Sequence, residues 1–99
     1  MRMQVEKTRE YQQWLDSLRD IVGRGRIFAR VQRLIEGNPG EHRLLTEGVM
    51  ELKMHFSPGY RVYYSMCGPD SLVLLVGGDK STQSKDIRIA LRLNRNYQE

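Results

Sequence analysis

Hydrophobic and polar positions alternate most regularly between Val49 and Tyr64, in the stretch Val-Met-Glu-Leu-Lys-Met-His-Phe-Ser-Pro-Gly-Tyr-Arg-Val-Tyr-Tyr. Met50, Leu52, Met54 and Phe56 are apolar, whereas Glu51, Lys53 and His55 are polar. A period of two predicts a strand with one buried face. Ser57-Pro58-Gly59 predicts a turn, since proline presets the first corner and glycine accepts the positive φ that follows. The returning strand puts Tyr60, Val62 and Tyr64 on the apolar face, and Arg61 and Tyr63 on the other. Lys53, His55, Arg61 and Tyr63 are therefore expected to share one open, cationic sheet face.

Upstream, Met3 to Lys7 alternates over a short first strand, and Thr8 is placed to cap a helix. Tyr11, Trp14, Leu15, Leu18 and Ile21 or Val22 recur at three- and four-residue steps, the stripe of an amphipathic helix. Gly23-Arg24-Gly25 is expected to break it. A second helix follows from about Arg26 to Glu36, burying Ile27, Phe28, Val31, Leu34 and Ile35, with Arg26, Arg30 and Arg33 on its other sides as a solvated or phosphate-facing rim. Gly37-Asn38-Pro39-Gly40 stops it and leaves an α-hairpin. His42 to Thr46 reads as a short strand, turned by Glu47-Gly48 into the alternating pair.

Downstream, Cys67-Gly68-Pro69-Asp70 makes another turn. Leu72 to Val76 is apolar at every position, so this strand is expected to be buried on both faces and central in the sheet. After Gly77-Gly78, one of Ser81, Thr82 and Ser84 can cap a last helix. Its apolar side holds Ile87, Ala90 and Leu91 with Ile89 or Leu93, and its basic side Arg88, Arg92 and Arg95. The order predicts a single α+β domain over 1–99. It is a small, mostly antiparallel sheet of four to five strands with the N-terminal two-helix hairpin on one face and a C-terminal helix, the Lys53/Arg61 face being left open.

The chain has 99 residues, 39% hydrophobic and 28% charged, as in an ordinary globular domain with one modest core. No apolar run approaches the roughly 18 residues of a membrane-spanning helix. The N-terminal Met-Arg-Met-Gln-Val-Glu lacks an apolar signal core, so a cytoplasmic setting is expected. A net charge of +4 suits nucleic acid or an acidic partner. The single cysteine, Cys67, allows no internal disulfide and no Cys-rich zinc site. Asp79 and Asp86 read as local caps, no carboxylate cluster argues for magnesium, and neither metal nor cofactor is expected. Gly-Gly-Asp-Lys-Ser lacks the spacing of a Walker A loop.

Several motifs carry a resemblance. They are Glu51-Leu52-Lys53, then Pro58-Gly59-Tyr60-Arg61-Val62-Tyr63-Tyr64, then Gly77-Gly78-Asp79-Lys80-Ser81 with Gln83, Lys85, Asp86 and Ile87. Gly37-Asn38-Pro39-Gly40 and Glu47-Gly48-Val49 add to them. On these residues the chain resembles the RelE/ParE/HigB superfamily of toxins from toxin–antitoxin pairs, in the branch called addiction-module killer proteins. The family's Glu-Leu-Arg reads Glu-Leu-Lys here, so Lys53 keeps the charge without the arginine fork. The resemblance implies a RelE-like fold and a toxin silenced by a cognate antitoxin, usually a small helix-turn-helix protein encoded adjacently. RelE- and HigB-like members cleave mRNA, usually on the ribosome. ParE-like members instead poison DNA gyrase, and an inactive member is a third possibility.

Metal-free RNA cleavage needs a base for the 2′ proton, an acid for the leaving 5′-oxygen, and cations for the phosphorane. Arg61 is the candidate for charge stabilisation, Lys80 for sharing that role or acting as the acid, and His55 for acid or base work near neutral pH. Lys53 would position phosphate or act as base. Lys85, Arg88 and Arg43 would hold flanking RNA, and Tyr63 would stack a base.

Overall fold

The computed structural model of the protein describes residues 2–98. Its elements run β1 (Gln4–Lys7), α1 (Arg9–Ser17), α2 (Ile21–Ile35), β2 (His42–Leu44), β3 (Val49–Lys53), β4 (Arg61–Met66), β5 (Ser71–Gly78), a 3-10 turn (Lys80–Thr82) and α3 (Gln83–Gln98). The strands form one sheet in the order β1-β5-β4-β3-β2. β1 runs parallel to β5 and all other pairs are antiparallel. The fold is α+β, as the pattern predicts.

Register sorts the side chains as the alternation requires. Leu52 lies opposite Val62, and Glu51 opposite Tyr63. Leu52, Val62, Tyr64, Leu72 and Leu74 pack beneath the α1–α2 hairpin, against Tyr11, Ile27, Val31 and Leu34. The other face does not stay open. Val49, Tyr63, Val73, Leu75 and Val76 pack against Ala90, Ile87 and Leu91 of α3. The apolar side of α3 needs a cover, and this face is the one available. Only the end of the face, at Lys53 and Arg61, is left clear of the helix.

β5 is internal to the sheet and apolar on both sides, with an irregularity inside it. Tyr63 pairs with Val76 and Tyr64 with Leu74, so Leu75 is an extra residue, a β-bulge. Leu75 and Val76 consequently both pack into the α3-side core. Beyond the bulge, Gly77 and Gly78 face opposite layers. A Cβ at Gly77 would lie 2.2 Å from the Trp14 ring, and one at Gly78 would lie 1.7 Å from Asp86 Oδ2. Trp14 rests directly on the backbone of Gly77, and Asp86 on that of Gly78.

The helical hairpin breaks earlier than Gly23-Arg24-Gly25. α1 ends at Ser17 and α2 begins at Ile21, with both glycines inside it. Asp20 decides this, because its carboxylate accepts from the Gly23 N–H (2.9 Å) and from the Tyr60 hydroxyl (2.9 Å). Gly23 is needed there for space, since a Cβ would meet Asp20 at 2.3 Å and Tyr60 at 2.7 Å. Ile21, Val22 and Phe28 of α2 point outward, at 80%, 67% and 61% exposure, so they are not part of the expected stripes. β2 also stops short, at Leu44 rather than Thr46.

Gly77→Ala should destabilise the fold by about 1–3 kcal/mol by overpacking against Trp14, measured by chemical denaturation. Gly25→Ala should cost nothing or stabilise, because its Cβ would meet no atom within 4 Å and alanine is the better helix former.

Candidate functional site

β3 and β4 end side by side, with Lys53 opposite Arg61, and Arg61 pairs on its other side with Gly78 at the end of β5. The loops that continue from these ends enclose an open groove of about 430 Å³. Lys53, His55, Arg61 and Lys80 line it, together with Met54, Phe56 and the Ser57-Pro58-Gly59 turn. The turn closes with Gly59 N–H donating to the Phe56 carbonyl at 2.7 Å. Gly59 takes φ 79°, and the Ser57–Pro58 peptide is cis. Phe56 is braced by the Tyr60 ring edge at 6.0 Å and by the Arg26 guanidinium, 4.7 Å from its ring centroid.

Arg61 is 8% exposed. Its Nη1 donates to the Gly59 carbonyl at 2.7 Å. Its Nε faces Glu51 Oε2 at 3.6 Å, too far for a hydrogen bond. That buried Nε has no hydrogen-bond partner. The guanidinium is thus held from below by charge, with donor capacity left over.

Glu51 is fully enclosed. It accepts from Arg43 Nε (2.7 Å), Gln83 Nε2 (2.9 Å) and the Tyr63 hydroxyl (3.0 Å). Burial alone would raise its carboxyl, but these donors outweigh it and hold the group below its ordinary range. Tyr63 is the reverse case, since burial and then the Glu51 charge push its phenol well above the usual value.

Lys80 is exposed and opens the 3-10 turn, which Asp79 caps by accepting from the Ser81 N–H at 2.8 Å. His55 is exposed at the groove mouth, with Nε2 against the carboxylate of Glu41. The second oxygen of Glu41 is 4.0 Å from Lys53 Nζ. The hydrogen bond from His55 is the chief cause that lowers the Glu41 carboxyl below its ordinary range.

The structure thus gathers Lys53, His55, Arg61 and Lys80, and it separates the remaining candidates from them. Tyr63 is fully buried beneath α3 and cannot stack a base. Lys85 and Arg88 are exposed on α3 outside the groove lining. Arg43 is committed to Glu51, although half of its side chain stays exposed. Arg30 leaves the expected rim: Nη1 donates to the Lys53 carbonyl (2.7 Å), and Nη2 to those of Pro39 (2.9 Å) and Glu41 (3.1 Å). Sequence reasoning missed Glu51 as a buried anchor and Glu41 as a partner of His55. Alternation marks Glu51 only as polar, and nothing local to Glu41 foretells a contact with His55 further along the chain.

An uncharacterized protein of Haemophilus influenzae is 39% identical to this chain over 90 residues, 91% of each protein. The chain belongs to the family of that protein. No protein-family model and no solved structure matches it. Among the described residues, no helix is long and apolar enough to cross a membrane.

For this family member, two buried carboxyls set opposite pH dependences. Glu51 titrates below its ordinary 4.5, so its stabilisation is complete above that value and is lost as pH falls below it. Burial raises Asp86 above its ordinary 3.8, with the Thr82 hydroxyl partly opposing. Its charge therefore costs stability at neutral pH, and acid relieves that cost. Glu51→Gln should lose about 2–4 kcal/mol at pH 7 and show a flatter decline below pH 4.5. Asp86→Asn should hold or gain stability at pH 7, and denaturation at both pH values separates the two.

Proposed function

We propose that this protein is the toxin of a type II toxin–antitoxin pair and acts in the cytoplasm as a metal-independent mRNA endoribonuclease on translating ribosomes. One observation carries the reading: Lys53, His55, Arg61 and Lys80 line a single open groove. Such a set holds a phosphodiester and supplies both proton-transfer groups that its cleavage needs.

In the proposed reaction the 2′-oxygen attacks the adjacent phosphorus while its proton passes to the His55 imidazole. The P–O5′ bond breaks, and the Lys80 ammonium protonates the leaving oxygen. The products are a 2′,3′-cyclic phosphate and a 5′-hydroxyl end. Arg61 stabilises the phosphorane charge, held rigidly by Gly59 and by the Glu51 charge. Lys53 contributes a point charge that orients the phosphate. Messages enter an open groove rather than a closed pocket, which suits a chain-like substrate. The cationic groove also suits an antitoxin segment that is acidic or amphipathic and covers it.

Brief induction of the wild type should cut translated messages, seen by mapping 5′ ends. Lys80→Ala, at an exposed position, should fold normally and cut roughly 10²-fold or more slowly. Arg61→Ala should lose cutting as well, with folding checked by circular dichroism. Growth arrest with intact mRNA would overturn the nuclease reading and turn attention to gyrase.

A further inference from the structure

The chain's two histidines engage oxygen acceptors through opposite ring nitrogens. His42 Nδ1 lies 2.8 Å from the Gly40 carbonyl oxygen. A carbonyl only accepts, so Nδ1 of His42 carries hydrogen. His55 presents Nε2 to the Glu41 carboxylate. An ionised carboxylate also only accepts, so Nε2 of His55 carries hydrogen and Nδ1 of the neutral ring keeps its lone pair. Among the described residues Nδ1 of His55 has no hydrogen-bond partner.

The backbone that carries Glu41 is anchored to the strand that leads into His55. The Glu41 carbonyl accepts from the Lys53 N–H at 3.2 Å and from Arg30 Nη2 at 3.1 Å. Arg30 also holds the Lys53 carbonyl, 2.7 Å from Nη1. One half-buried guanidinium therefore joins the loop before β2 to the end of β3, two residues before the imidazole. Lys53, Arg61 and Lys80 supply the other charges around the groove. Glu41 is the anion at the ring itself.

We infer that Glu41 is a positioning residue: its carboxylate fixes His55 as the Nε2–H tautomer and leaves Nδ1 as the nitrogen that takes the 2′-hydroxyl proton. The last clause rests on the nuclease reading, while the tautomer does not. Long-range ¹H–¹⁵N spectra of the full chain, recorded where both rings are neutral, test it directly. His42 should show the Nδ1–H pattern and His55 the Nε2–H pattern. Glu41→Ala should collapse the separation between the two His55 nitrogen shifts toward that of a free imidazole and leave His42 unchanged. Glu41→Gln, whose amide oxygen still accepts, should restore it.

In cleavage of ribosome-bound message, Glu41→Ala should lower kcat roughly tenfold, a fraction of the 10²–10⁴ a placed base supplies, at unchanged KM. Glu41→Gln should recover most of the loss. An Nδ1–H pattern at His55, an unaltered spectrum in Glu41→Ala, or a change in KM alone would overturn the inference. Failure of the wild type to cut RNA would overturn the nuclease reading and the proton-acceptor role together, and the spectra would still decide the tautomer.

Discussion

A carboxylate sealed away from water governs this fold. Glu51 sits fully enclosed between the sheet and α3, where an unpartnered charge would cost several kcal/mol. Its donors come from β2 (Arg43), β4 (Tyr63) and α3 (Gln83). A single side chain on β3 therefore requires four elements to arrive in register. A one-residue slip of β3 would turn Glu51 into the hairpin core, where those donors do not reach. The same charge lies beneath Arg61, so the group that orders the interior also orders the floor of the groove.

The groove follows from where the strands stop. The end of β3, the start of β4 and the end of β5 lie together, and Lys53 and Arg61 there border the groove. Polar groups there meet water on one side and the dry core on the other. A cation in that position keeps its charge while being held more stiffly than a surface side chain. Arg61 shows this: nine-tenths covered, fixed at Gly59, and still bordering open space.

The sequence carried the faces of the sheet well and their covering less well. Period-two alternation separates Leu52 and Val62 from Glu51 and Tyr63, and the register agrees. Alternation does not say what lies over each face, so Tyr63 reads as open although α3 buries it. The clue was present in the apolar side of α3, which had no other surface to meet. The hairpin break was mislocated for a similar reason. Glycines are strong punctuation, but Asp20 gains a second partner, Tyr60, which lies far along the chain. Lys53, His55, Arg61 and Lys80 could be brought together from strand order alone. Glu41 could not, because it reaches His55 through Arg30 and the Gly40 bend, a tertiary arrangement with no local pattern.

The bulge at Leu75 has a topological consequence. Strand residues take opposite sides by parity, and one extra residue reverses the parity of everything after it. Gly77 meets Trp14 and Gly78 meets Asp86 only because Leu75 has been inserted into the count. The chain therefore leaves the sheet on the side of α3, and Lys80 emerges beside Arg61. Were β5 a regular strand of the same length, with Leu75 paired in turn, the same exit would point toward the helical hairpin, and the lysine would lie across the sheet from its neighbours. The handedness of the groove is thus counted out along β5 rather than shaped by the loops that surround it.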